Sequence, residues 1–359
     1  MDHNTREELK KAAAIRGEAC VTISLNTHRT APDYLKDPIL LKNLLKEAGD
    51  RLEDEFGKKV AETVMAKLNA MADKIDHAHN LEGLVLFANQ EVSGHVKLPV
   101  AVTDRVSVDD HFTTRDLVRA LQQGAEYYIL WLNRDWARLV HAFNGRLVEE
   151  VKGGFPMRNH VAGHDAAKQV MDRDYGALIK EFFNRVDKAL VKVLNSDPLP
   201  VVLATEARNA EHYRAVADKQ SFLKGDFNPT HDNLAVHHLV EEAWKVYAPI
   251  VRERYNARVQ VLDQAVSTGK LHSDHNDVWQ AINEGRGDTL FIKEGLFQPA
   301  MLVEEGIELL PAGERERHGA VDDIINEMVQ RNLAFGGDAV FVEGDELDRF
   351  NGLALVTRY

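Results

Sequence analysis

Three apolar segments in close succession constrain this chain more than anything else in it. "YYILWLN" (127–133), "ARLVHAF" (137–143) and "RLVEEV" (146–151) each have strand length, and only "RDW" and "NG" connect them. Connections this short dictate antiparallel hairpins, and the Asn144-Gly145 pair is the turn chemistry of a two-residue hairpin. A long helical pattern follows over "DAAKQVMDRDYGALIKEFFNRVDKALVKVLN", with a break expected near Gly176. The apolar run "PLPVVLAT" (198–205) reads as a central strand, and "NAEHYRAVA" as a helix. Three antiparallel strands, a long helix, a strand and a helix make the skeleton of an RNase H-like domain, its long helix laid across the sheet.

The flanks are also mixed α/β. "ACVTISLNTHRT" (19–30) alternates through Val21, Ile23 and Leu25, the period of a strand with one buried face. Asp37 and Pro38 open a helix as N-cap and first helical residue, and Leu40, Leu41, Leu44, Leu45, Ala48 and Leu52 share one face of it. A second helix is expected over 58–77, a strand at 81–90, and two short strands up to residue 112. "TTRDLVRALQQG" (113–124) is helical, with a Thr cap and a terminal Gly124. "SFLKGDFNPTHDN" (221–233) reads as a linker. Beyond it, "AVHHLVEEAWKVYAPIVRERYNARVQVLDQAVS" is helix-rich. Helix–turn–strand units then end in "TLFI", "AVFV" and "GLALVTRY", which implies a three-layer α/β sandwich. The expected division of the 359 residues is 1–112, 113–235 and 236–359, a number of domains that suits a chain too long for one core.

Composition excludes several classes. No run has the length needed to span a bilayer as a helix. "MDHNTREELKK" is too polar for a secretory signal, and the single Cys20 allows neither a disulfide nor a cysteine zinc site. A cytoplasmic protein is the expectation. The net charge of -13 argues against free DNA binding. Residues 1–112 carry a net of -4 and residues 236–359 a net of -10, whereas residues 113–235 carry +1. The middle segment is thus the only one not repelled by a polyanion.

Two C-terminal patterns, "QAINEGRGDTLFI" and "GGDAVFV" followed by "GLALVTRY", resemble the third domain of archaeal and eukaryotic class-1 peptide-chain release factors and of Pelota. The middle segment is similar to that family's second domain. "SLNTHRT" with "DPILLKNLLKEAGDRL" looks like the N-terminal part of its bacterial relatives. The resemblance implies an α/β fold of three domains, the middle one RNase H-like and the last of the release-factor third-domain type. It also implies a partner in the ribosome, ribosomal RNA or tRNA, and a translational GTPase as a further one.

In the terminating members, the loop between third strand and long helix carries Gly-Gly-Gln, whose amide positions water at the peptidyl-tRNA ester. Here Gly153-Gly154 is followed by Phe155, and no Gly-Gly-Gln occurs in the chain. An Asn-Ile-Lys-Ser motif of the kind used in stop-codon reading is absent too. The resemblance therefore implies the scaffold and a role in rescue, quality control or hibernation, without termination chemistry. The candidate binding residues are Gly153, Gly154, Arg158, His160 and His164: glycines allow close backbone approach, and the cations suit a phosphate backbone. A solvated spacer is the bland alternative.

Two other functions compete: a hydrolase acting on RNA or a nucleotide through the 152–164 loop, and a protein-interaction module using the acidic C-terminal part. Neither a catalytic residue, a metal ligand set nor a cofactor is assigned. Asp76, His77 and His79, the pair His237–His238, and His272, Asp274, His275 and Asp277 match no ligand spacing and read as surface or capping groups. Asp274 or Asp277 is expected to cap the helix containing Trp279. A two-metal nuclease needs a carboxylate on its first strand, which "YYILWLN" lacks. Trp131 and Trp136 read as packing, and a Walker loop is excluded.

Overall fold

The computed structural model describes residues 15–28, 32–159, 172–231, 234–314, 317 and 319–359. The chain forms two compact units: residues through Gln123 together with Arg258–Tyr359, and Gly124–Ala257.

The first unit begins with β1 (Arg16–Asn26), α1 (Asp37–Phe56), α2 (Lys58–Ala72), β2 (Gly83–Ala88), β3 (Ser93–Leu98), β4 (Arg105–His111) and α3 (Arg115–Gln123). The sheet order is β3-β2-β1-β4. Val21, Ile23 and Leu25 of β1 pack against Leu41, Leu44, Ala48 and Leu52 of α1 and Val64 and Leu68 of α2, so the alternation of one element meets the helical period of the other. Asp37 departs from expectation. It is the first helical residue, leaves its own helix uncapped, and is buried. Its carboxylate instead accepts from the His28 backbone N–H at 3.0 Å and lies 2.8 Å from His28 Nδ1, tying the end of β1 to the helix start. The second helix stops at Ala72, short of the expected 77.

The second unit holds β5 (Glu126–Leu132), β6 (Trp136–Phe143), β7 (Arg146–Glu150), β8 (Met157–Arg158), α4 (Asp172–Ser196), β9 (Val201–Ala204), α5 (Ala207–Arg214), β10 (Leu223–Phe227) and the first part of α6 (Val236–Thr268). The main path of its sheet is β10-β9-β5-β6-β7. β5, β6 and β7 are antiparallel hairpin neighbours, with Asn144 at φ 51° in the two-residue turn. β9 runs parallel to β5, and β10 parallel to β9. This is the connectivity of the RNase H-like reading. All of β5 is buried because both of its faces are covered. Tyr128, Leu130 and Leu132 meet Phe182, Phe183 and Val186 of α4. Tyr127, Ile129 and Trp131 meet Leu239, Val240, Ala243 and Tyr247 of α6. β10 corrects the sequence reading, which has a linker at 221–233.

The chain returns to the first unit through the rest of α6, which carries Pro249 in its interior. There follow β11 (Leu271–His272), α7 (His275–Asn283), β12 (Gly287–Lys293), β13 (Ala300–Val303), β14 (Gly306–Leu309), β15 (Ala320–Val321), α8 (Ile324–Ala334), β16 (Asp338–Val342) and β17 (Leu353–Thr357). One sheet runs β11-β17-β12-β16 and a small one β14-β13-β15. Leu290 and Ile292 face α7 and α8, whereas Phe291 faces Leu262 and Ala265 of α6. That is the three-layer sandwich. Of the two candidate caps it is Asp274 that caps α7, accepting from Asn276 and Asp277 N–H. Arg358, next to the C-terminus, donates to Gly285 O at 3.2 Å and Phe335 O at 3.0 Å, placing one cation at the C-terminal ends of α7 and α8.

Candidate functional site

The Gly-Gly stretch is a tight turn rather than a free loop over the part described. Val151 N–H donates to Leu139 O at 2.9 Å, and Phe155 N–H to Lys152 O at 3.2 Å. Gly153 and Gly154 are exposed. Gly154 has φ +112°, a conformation that favours glycine, and a Cβ on it would stand 3.6 Å from the Ala189 methyl of α4. The turn therefore lies against the long helix. Phe155 is buried in the core beneath that helix, with Phe182, Phe183 and Val186. Phe155, which follows the Gly-Gly pair, is thus a packing anchor.

Met157 and Arg158 then rejoin the sheet, pairing with Ala137 and Trp136 of β6. Asn159 N–H donates to Asp135 O at 2.8 Å, and its side-chain amide to Arg134 O at 3.0 Å. Asn133 Oδ1 accepts from the N–H groups of Asp135 and Trp136, which closes the β5–β6 turn. Arg158 is thus held, exposed, on the strand that faces this turn. Trp131 and Trp136 are edge-to-face at 5.0 Å, with Arg138 over the Trp131 ring, so both indoles are packing groups as expected. His160 and His164 lie outside the described residues. Gly153 and Gly154 lie between β7 and β8, and Arg158 lies in β8 itself.

Of the histidine-dense places, Asp76, His79 and His238 behave as capping and surface groups, whereas the His275 ring is half-buried, its Nε2 enclosed without a hydrogen-bond partner among the described residues. Asp76 accepts from Ala78 N–H at 3.0 Å and pairs with His79 at 2.7 Å on the surface. His238 pairs with Glu241 at 3.2 Å.

Sequence reasoning misses a buried polar cluster in the first unit. Arg51 on α1 meets both oxygens of Asp322, at 2.8 and 2.9 Å, and Asp322 also accepts from Val108 N–H at 3.0 Å. A carboxylate thereby satisfies the backbone of edge strand β4. Asp323 pairs with Arg115 at 2.8 Å and Arg105 at 3.7 Å. His111 Nδ1 lies 2.6 Å from Asp110 and its Nε2 2.6 Å from Glu327. Burial works against the imidazolium, but Glu327 and Asp110 outweigh it and raise the pKa to about 8. Burial pushes Asp109 up to about 6 despite the His111 charge. The ligand atoms of Asp109, Asp110 and His111 converge, yet both ring nitrogens are engaged by carboxylates, so the group reads as an ion-pair clasp. The only local hint in sequence is the Asp322-Asp323 pair directly ahead of α8. A cleft of about 190 Å³ beside Thr103, Asp116 and Glu294 is lined by Arg115 and Arg119, whose charges are already matched by carboxylates.

No curated protein matches the chain. Among solved structures, an archaeal translation termination factor is 17% identical, with 99% of this chain and 97% of that one covered, at a TM-score of 0.26. Archaeal Pelota, from a ribosome-bound model with ABCE1, is 13% identical over 98% and 94%, at 0.45. Archaeoglobus fulgidus Pelota is 11% identical over 98% and 92%, at 0.34. The family match covers residues 126–286 and is to the bacterial archaeo-eukaryotic release factor family 3. It takes in the whole of the three-stranded meander, the Gly-Gly turn and the long helix, and over this segment the chain is similar to the bacterial relatives of the archaeo-eukaryotic release factors.

Proposed function

We propose that this protein binds the ribosome or a translation complex and acts in rescue, quality control or hibernation, without Gly-Gly-Gln-type hydrolysis of peptidyl-tRNA. The observation that carries the reading is the family match over 126–286. The burial of Phe155 supports the absence of termination chemistry, because an apolar side chain sunk in the core can neither reach nor orient a water at an ester. The exposed Gly153, Gly154 and Arg158, with His160 and His164 following in sequence, form the binding edge in this reading. A cytoplasmic location and a translational GTPase as second partner belong to the same proposal. No helix among the described residues is long and apolar enough to cross a membrane.

The test is sedimentation with ribosomes from growing and from stressed cells, at low salt. Wild type is expected in the ribosomal pellet, and Arg158→Glu is expected to be depleted from it. A wild-type protein that stays in the supernatant under every condition ends the translational reading. Rapid release of peptide from peptidyl-tRNA by the purified chain ends the claim of lost chemistry.

A further inference from the structure

The outward face of α4 carries Arg185, Lys188 and Lys192, all exposed, at the i, i+3, i+7 spacing that places them in one stripe. Their inward neighbours Phe182, Phe183, Val186 and Leu190 fill the core, which fixes the rotation of the helix and so the direction of the stripe. Three further observations separate it from an ordinary solvated face. None of the three cations has an ion-pair partner among the described residues; Arg185 instead lies over the Phe182 ring at 5.5 Å. The one acidic residue inside this part of the helix that would neutralise it, Asp187, is buried and accepts from Tyr213 Oη at 3.0 Å; Glu181 is exposed one turn before Arg185 and borders the stripe on its N-terminal side, with no ion pair to Arg185. Lys219 extends the stripe at its C-terminal end, its Nζ donating to Asn195 Oδ1 at 2.6 Å.

The charge balance points the same way. The 124–257 unit has 18 basic and 18 acidic residues, so the whole net charge of -13 falls on the rest of the chain. A polyanion approaching the molecule is repelled by the first unit and not by the second. The Gly-Gly turn sits beside the stripe, since the missing Cβ of Gly154 faces Ala189, between Lys188 and Lys192 in sequence.

We infer that this face of α4 docks on the phosphate backbone of duplex RNA. The inference rests on the translational reading and names the partner of its middle unit. The stripe runs about 10 Å along the helix from Arg185 to Lys192, at 1.5 Å per residue, which spans neighbouring phosphates of one strand. Single-stranded RNA is the poorer fit because it is gripped by stacking on exposed aromatic rings. Every phenylalanine, tyrosine and tryptophan ring whose burial is described in 124–257 is buried or half-buried. Backbone recognition without base stacking is the mode expected for A-form duplex.

The experiment measures binding of the full chain to a fluorescent RNA duplex of about 20 base pairs, longer than the roughly 16 that a duplex-binding domain spans, and to a single strand of the same length, across a salt series. The stripe variant is Arg185→Glu/Lys188→Glu/Lys192→Glu. A control with the same change of net charge reverses exposed lysines of the first unit, Lys42→Glu/Lys46→Glu/Lys59→Glu. Circular dichroism confirms folding, and Arg185→Gln/Lys188→Gln/Lys192→Gln replaces the first variant if reversal unfolds it. Wild type is expected to prefer the duplex. The stripe variant should bind at least about tenfold more weakly than the control and lower the salt slope by about 2 to 3, at roughly 0.9 for each phosphate no longer neutralised. Equal weakening in both variants, no weakening in either, tighter binding to the single strand, or no duplex binding by wild type at about 50 mM salt, where such binding is strongest, each overturns the inference. Ribosome sedimentation of the same proteins separates the two claims. A wild type that pellets with ribosomes but ignores duplex RNA loses the stripe and keeps the function; one that binds duplex and never pellets does the reverse.

Discussion

His111 has two competing neighbours at one nitrogen. Its Nε2 lies 2.6 Å from Glu327 Oε1 and 2.9 Å from Asn326 Nδ2. The Asn326 amide cannot turn round, because its oxygen already accepts from Thr114 and Arg115 N–H. Neutral His111 therefore accepts from Asn326, and charged His111 donates to Glu327. With the folded pKa raised from 6.5 to about 8, the charged form gives stability that is complete below pH 6.5 and lost as pH rises through 8. The shift corresponds to roughly 2 kcal/mol at 1.36 kcal/mol per pKa unit. Asp109, raised from 3.8 to about 6, contributes a loss of stability in a lower and separate window, as its ionisation is disfavoured in the folded state. The difference in unfolding free energy between wild type and His111→Gln should shrink by that amount between about pH 6 and pH 9 in urea titrations. A difference independent of pH would mean that His111 is not charged in the fold. At Phe155 the expected effect is packing alone. Phe155→Ala should cost about 3–5 kcal/mol of stability, the range for a buried Phe truncated in a core, and a variant that unfolds at the wild-type midpoint contradicts the anchor role.

Among the elements, β5 to β7 are legible in the sequence and β10 is not, for a physical reason in each case. The hairpins declare themselves because their connections are short and the Asn144-Gly145 turn is local. Inside "SFLKGDFNPTHDN", Gly225 reads as loose punctuation, yet it is a packing residue: a Cβ there would stand 2.6 Å from Val246 Cγ1 of α6. The glycine exists so that helix and strand can approach, and no local pattern announces this. β13 to β15 are short and carry no clear alternation, so they also escape a local reading. The Asp322 carboxylate that completes β4 lies 214 residues from the strand it serves, beyond any periodicity. Gly225→Val should force α6 away from β10 and cost about 1–3 kcal/mol, the usual penalty for overpacking. Hydrogen exchange should then quicken at β9 and β10 amides first; unchanged protection there would show that the close approach does not hold the strand.

At the scale of the whole chain, the first unit is assembled from residues far apart in sequence and the second from one continuous stretch. The first unit therefore depends on long-range polar interactions, among them Arg51 with Asp322, which is closed off at 6% and 3% side-chain exposure. Removing one partner of such a pair leaves a buried charge alone, at a cost of about 3–5 kcal/mol. The tryptophans provide a means of seeing where that cost falls. Trp131, Trp136 and Trp244 belong to the second unit, and only Trp279 to the first. Tryptophan fluorescence thus reports mainly on the second unit, while far-ultraviolet circular dichroism reports on both. Asp322→Ala should bring forward part of the dichroism change on heating or in urea and leave the fluorescence midpoint near that of wild type. Arg51→Met/Asp322→Leu, which removes both charges and keeps apolar volume, should recover most of the stability. A fluorescence midpoint that moves together with the dichroism would mean that the two units unfold as one, so that the cost of an unpaired charge in the first is felt by the second as well.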